Sequence, residues 1–212
     1  MLRPIASPLA LGLVGLAAGT VTMSGLQLGW VDARQGHDVA LILLAFVFPL
    51  QLLASVLAFL ARDGIVGTSM GILACTWLSI GLVHLGLPPG GTSDALGLFL
   101  LIAAIGMLVP TAGAATGKLV PAAVFATAAA RFATTGVAQL TGDSPWKTLA
   151  GLIGLGLGAL AVYAALAAGL EDALRRPVLP VGRRARGREA LGGALAQQLT
   201  DVHHEPGVRQ QL

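Results

Sequence analysis

Few side chains in this sequence can do polar chemistry, and one of them, Arg131, sits inside an apolar run. Residues 119–140 read LVPAAVFATAAARFATTGVAQL, about the length of a bilayer-spanning helix. Arg131 is the thirteenth of these 22 residues. At 1.5 Å of rise per residue it lies roughly 14 Å from the nearer end, too deep for its side chain to reach water. A charge at that depth costs about 2.5–3.5 kcal/mol on insertion scales, and a span rich in Ala and Thr offsets little of it. Arg131 is therefore expected to face other helices or a wet cavity. Asp32, Asp38, Asp63, Asp94, Asp143 and Glu171 all fall in links or at span ends, and no Asp or Glu lies in the middle of a span. Its partners must then be backbone carbonyls, Thr, Ser or Gln side chains, water, or an anion in passage. Thr135, four residues on, adds a hydroxyl to the same helix face. Two readings stay open: an anion pathway, or a structural arginine at a helix or oligomer interface.

Other chemistry is poorly represented. His203 and His204 sit in a polar tail without ligands at metal-binding spacing. The glycines occur at helix-packing intervals, with no Gly-Lys-Ser or Gly-Lys-Thr to complete a phosphate loop. Cys75 is the single cysteine, so no intramolecular disulfide forms, and no Ser or Cys has an obvious base partner. His84, near the end of the third apolar run, reads as an interfacial residue. The expectation is a protein that is not an enzyme and has no cofactor and no metal.

The composition indicates what positions Arg131. Hydrophobic residues make up 55% of the chain and charged residues 11%, which is far from a soluble domain and typical of a polytopic membrane protein. Six apolar runs, about residues 9–30, 39–61, 66–87, 95–115, 119–140 and 148–170, predict an all-α membrane protein with a six-transmembrane-helix bundle. The expected domains are an N-terminal cytoplasmic segment (1–8), a transmembrane domain (9–174) and a basic, largely disordered cytoplasmic tail (175–212). Gly12, Gly15 and Gly19, and later Gly151, Gly154 and Gly158, form small-residue stripes for close helix packing. In the second run Pro49 frees a carbonyl that a neighbour or water must satisfy, and Gln51 lies beside it.

Orientation follows from the basic residues. With both termini inside, Arg3, Arg62, Lys118 and seven tail arginines are cytoplasmic, against only Arg34 and Lys147 outside. This predicts a multi-pass protein of the cytoplasmic membrane. The tail arginines, beginning with Arg175 and Arg176 and including Arg186 and Arg188, suit a stop-transfer anchor or a site for anionic lipid. Leu191, Leu195, Leu199 and Val202 share one face of a possible surface helix. Nucleic acid is not an expected partner, because the arginines concentrate beside a membrane domain.

The order of several short stretches resembles the acetate uptake transporter family. The stretch SPLALGL, Ser7 to Leu13, matches that family's opening pattern at Pro8, Leu11, Gly12 and Leu13. Trp77, Leu78 and Ser79 match its Trp-Leu-Ser/Thr element. Ala150 to Leu155 fits the opening of its last span, and Val178, Leu179, Pro180, Val181 and Gly182 match its Val-Leu-Pro-Ile-Gly. Gln51 falls on a glutamine of the second span in relatives. The resemblance covers residues 6–182 and implies a hexamer whose subunits each hold a path for acetate or another short carboxylate. Relatives build an apolar constriction from a Phe, a Tyr and a Leu, and these positions fall on Leu16, Leu73 and Ala128. Acidic residues at the ends of spans two and six of relatives are replaced here by Ala58 or Phe59 and by Ala168. Relatives are apolar at the position of Arg131.

The resulting expectation is a transporter or channel for acetate or a similar short carboxylate, such as succinate or propionate, either proton-coupled or passive. The substrate pathway would comprise Leu16, Gln51, Leu73, Trp77, Ala128, Arg131 and Thr135. The expected partners are a small carboxylate anion, the lipid bilayer and further copies of the chain. The alternatives are a non-transporting membrane assembly with a lipid- or partner-binding tail, and a carrier for another small solute.

Overall fold

The computed structural model describes residues 6–174 and 176–184. Their helices are α1 (Leu9–Gln27), α2 (Gly36–Ile42), α3 (Phe48–Leu60), α4 (Gly64–Gly86), α5 (Asp94–Ala115), α6 (Leu119–Thr141) and α7 (Ser144–Leu174). A 3-10 turn, Ala33–Gln35, leads into α2, and a π turn, Leu43–Val47, runs α2 into α3 without a break. The chain thus forms six helical spans long and apolar enough to cross a membrane. The protein is an all-α, six-helix membrane bundle. The N-terminal residues with Arg3, the position Arg175, and the tail from residue 185 lie outside the described residues. So do Arg186, Arg188, the Leu191–Val202 face and the histidine pair.

Helix ends depart from the apolar runs where local backbone chemistry decides. The first run extends to residue 30, yet α1 stops at Gln27 because Gly29 turns left-handed at φ +76°. The Trp30 amide then returns to the Gly25 carbonyl at 2.9 Å and the Gly29 amide to Leu26 at 3.4 Å, a Schellman closure that satisfies the last carbonyls. In the second span, the ring of Pro49 would press on the carbonyl four residues earlier in a regular helix. The π turn just ahead of it widens the backbone at that point. At the other extreme, α7 begins before and ends after its apolar run. Its 31 residues measure about 46 Å, longer than the hydrocarbon core.

The bundle is held by close backbone approach. A Cβ at Gly19 would lie 2.8 Å from Val47 Cγ1, and one at Gly12 would lie 2.5 Å from Met70 Sδ. One side of α1 therefore seats directly on the second and third spans. Its other side seats on α7, where a Cβ at Gly158 would meet Val21 at 2.6 Å. Between α5 and α6, a Cβ at Gly97 would be 2.9 Å from the Gly136 carbonyl oxygen, and the reverse distance is also 2.9 Å. Backbone cannot yield as a side chain can, so Gly136→Val is expected to cost about 2–3 kcal/mol. A fall in the melting temperature of the detergent-solubilised protein measures it. The outward faces are apolar: Leu98, Ile102, Ile105 and Val109 on α5 are each more than half exposed, as lipid or a neighbouring chain would require.

After α7 the chain doubles back as a strap. The amides of Leu119 and Val120 donate to the carbonyls of Gly182 and Val181, and the Arg184 amide donates to Gly117. Lys118 and Arg183 form an isolated antiparallel bridge, the Tyr163 hydroxyl donates to the Pro180 carbonyl at 2.8 Å, and Arg183 pairs with Glu171 at 2.5 Å. Gly182 carries a φ of +63°, and a Cβ there would also lie 2.8 Å from that of Leu119. The otherwise open N-terminal amides of α6 are thereby supplied with acceptors.

Candidate functional site

Arg131 is 2% exposed and sits where α1, α4, α6 and α7 meet. Its guanidinium is held by one face of α1. Nη1 donates to Thr20 Oγ1, and Nη2 donates to Ser24 Oγ at 3.5 Å and Gln27 Oε1 at 3.3 Å. Thr20, Ser24 and Gln27 are spaced four and three apart, which stacks them on a single helical face. The Trp77 ring lies under the guanidinium, 5.5 Å from Cζ to the centroid, within range of a cation–π contact. Every one of these partners is neutral. Nε has no hydrogen-bond partner. It faces α7, where a Cβ on Gly154 would lie 2.7 Å from it.

The neutral partners are themselves linked. Ser24 Oγ donates to the Thr20 carbonyl at 2.7 Å, Thr20 Oγ1 to the Gly154 carbonyl at 3.5 Å, and Gln27 Nε2 to Thr135 Oγ1 at 3.4 Å. Hydrogen bonds to a charged group are worth about 1.5–3 kcal/mol each, enough between them to carry the insertion cost of Arg131. The layer stabilises a cation without neutralising it. Among the described residues no carboxylate pairs with Arg131.

The remaining expected pathway residues sort by level. Leu16, Leu73 and Ala128 are each fully buried in one apolar core. Each precedes a member of the polar layer (Thr20, Trp77, Arg131) by three or four residues on the same helix. They therefore lie one turn below it, toward the bundle end where α1, α4 and α6 begin. Gln51 lies beyond them. Its Nε2 donates to the Gly12 carbonyl at 3.3 Å, and its buried Oε1 has no hydrogen-bond partner. The structure thus brings Trp77, Arg131 and Thr135 together and leaves Gln51 on the far side of the apolar layer.

Above the polar layer, where α1, α4 and α6 end, is a cavity of about 110 Å³. Gln27, Thr135 and Gln139 form its floor, and His37, His84, Arg34 and Lys147 stand around it, with no Asp or Glu in the lining. A smaller void of about 10 Å³ touches Arg131, Trp77 and Ile80, room for one water at most. Met23 and Thr135 line both spaces and form the partition between them. His84, expected to be interfacial, lines the cavity. Thr20, Ser24 and Gly154 were not expected at the site. Their signal was a polar i, i+4, i+7 face on α1 and a glycine in a stripe read only as packing.

No family model and no curated protein matches the chain. Among solved structures, the bacterial acetate channel SatP has a similar fold, with a TM-score of 0.74 and 25% sequence identity. The similarity covers 84% of this chain and 99% of that one. A shared six-helix fold over nearly the whole of that channel, with the family's short motifs in order from Pro8 to Gly182, supports the resemblance of this chain to the acetate uptake transporter family.

Proposed function

We propose that the chain passes acetate, or a carboxylate of similar size, across the cytoplasmic membrane, with both termini on the cytoplasmic side. The observation that carries this reading is the buried, uncompensated charge of Arg131 in the fold of an acetate channel. The barrier to a carboxylate in a bilayer is loss of hydration. Arg131 offers charge, and Thr20, Ser24 and Gln27 offer rotatable hydroxyl and amide dipoles at the same level. The apolar layer of Leu16, Leu73 and Ala128 then serves as the gate, with Gln51 as the polar contact beyond it. No covalent step is needed. The 10 Å³ void beside Arg131 is too small for acetate, so passage requires Met23 and Gln27 to change rotamer. Both are unbranched side chains suited to doing so.

Among the described residues no carboxylate lines this route, so a coupled proton would have to travel on the substrate or through water; Arg131 favours the ionised form, and in this reading the anion travels with its charge. Reconstitution in liposomes with labelled acetate tests both points. Uptake is expected to rise when the lumen is made positive, and at clamped potential the protein is expected to drive no accumulation beyond that of protein-free liposomes under the same pH gradient. Extra accumulation that follows the pH gradient at fixed potential would indicate proton coupling. No uptake at all would favour a non-transporting assembly in which Arg131 only ties α1 to α6.

A further inference from the structure

The cavity above the polar layer has a chemistry that the proposed pathway does not use. His37 Nε2 is 2.8 Å from the Leu85 carbonyl oxygen, and His84 Nδ1 is 2.9 Å from that of Ile80. A carbonyl oxygen can only accept, so both of these ring nitrogens carry hydrogen. The tautomers follow: in the neutral rings, His37 Nδ1 and His84 Nε2 hold lone pairs. Neutral, they present acceptors and repel a carboxylate. Each ring becomes a cation with a new N–H donor when that nitrogen takes a proton from solvent.

The rest of the lining carries no acid: Lys147 at the start of α7 and Arg34 in the turn before α2 are like charges that disfavour two further cations until an anion enters among them. Arg34 is largely exposed and lies 3.9 Å from Asp32, so it contributes least. The polar side chains from α1 and α6 are the neutral Gln27, Thr135 and Gln139, and the segment from residue 87 to 91 brings no ionisable group. Asp38 in the first turn of α2, Asp94 at the start of α5 and Asp143 between α6 and α7 do not line the cavity.

We propose that this cavity is a proton-assembled capture site for a small carboxylate, in which His37 and His84 become donors together and hold the anion above the Met23–Thr135 partition. The proposal rests on the reading that an anion enters the bundle from this end. It supplies a pH response at the mouth of a path whose interior carries no acid. Binding, rather than the driving force, is what acid changes.

The test uses trifluoroacetate, a carboxylate that stays ionised across the whole range, followed by fluorine NMR on the full chain in nanodiscs. With the same pH on both faces, lowering it from 8 to 5.5 is expected to tighten binding about tenfold, as two partly exposed charge pairs would give. The double variant His37→Gln, His84→Asn keeps both carbonyl bonds, because a Gln amide stands in for Nε2–H and an Asn amide for Nδ1–H. In it the pH dependence is expected to vanish. A shift that survives in the double variant, or equal binding at both pH values in the unaltered protein, overturns the proposal. Repeating the titration on Arg131→Gln separates the two levels: a retained shift belongs to the cavity, and a shift lost with Arg131 assigns it to the deeper layer and rejects the capture site. Absence of acetate flux in liposomes would remove the transport reading and leave this titration standing.

Discussion

Arg131→Leu is expected to give a folded protein that no longer passes acetate, with liposome uptake falling about 10- to 100-fold. The size of the fall is that of losing one charge-assisted contact with the moving anion, about 1.5–3 kcal/mol. Its separation from stability follows from the wiring of the layer. Removing the guanidinium leaves the neighbours' own donations in place, Ser24 to the Thr20 carbonyl, Thr20 to Gly154 and Gln27 to Thr135, and the Gln27 Oε1 that loses its donor belongs to a residue lining the cavity, within reach of water. The leucine also spares the insertion cost of a buried cation, which compensates for lost contact with Trp77. Arg131→Lys should fall between the two, since an ammonium keeps the charge but cannot span Thr20 and Gln27 with a planar fork. Monodisperse protein at normal yield with wild-type uptake for the leucine variant would falsify the role given to Arg131. Poor folding with no soluble protein would instead mark it as structural.

The second large effect is expected at Gly154. A Cβ there would lie 2.1 Å from Ser24 Oγ, 2.7 Å from Arg131 Nε and 3.0 Å from Cζ. Real Cβ atoms do not approach a neighbour as closely as the first of these, so α1 and α7 must separate or the guanidinium must leave its place. Gly154→Ala is expected to cost about 2–3 kcal/mol, at the upper end for one added methyl in a packed core, and to reduce uptake along with the melting temperature. Ser24→Ala removes the nearest obstacle, so the double variant should regain part of both. A double-mutant cycle measures that recovery. Additive losses would show that the obstruction lies elsewhere on the α1–α7 contact.

These two residues also show how far the sequence could be read. Arg131 declared itself because a charge inside an apolar run must turn away from lipid, whether it serves an anion pathway or a helix interface, and six such runs indicated the fold class. Gly154 looked like any other member of a helix-packing stripe, and nothing local marks which glycine of three faces a guanidinium. Thr20 and Ser24 sit in an Ala- and Gly-rich helix where small polar residues are commonplace. Their importance depends on the register of α1 against α6, more than 100 residues away, and apolar periodicity does not carry that register in a helix whose buried and exposed sides are equally hydrophobic. His84 shows the same limit. Its position near a span end was legible, while the cavity that gives it company is built by a turn and two links whose spatial meeting no spacing rule supplies.

The uncompensated arginine resembles the fixed charge of an ion-exchange material. A fixed charge without a resident counter-ion excludes ions of its own sign, as a resin bead excludes co-ions at Donnan equilibrium. Two unit charges 4 Å apart repel by about 4 kcal/mol at an effective dielectric constant of 20, roughly a thousandfold in occupancy. Sodium, ammonium and hydronium entering the Thr20–Trp77–Arg131 layer all meet that repulsion. A bundle with the proposed anion route would thus carry, in a single side chain, its own guard against dissipating the ion gradients across the membrane.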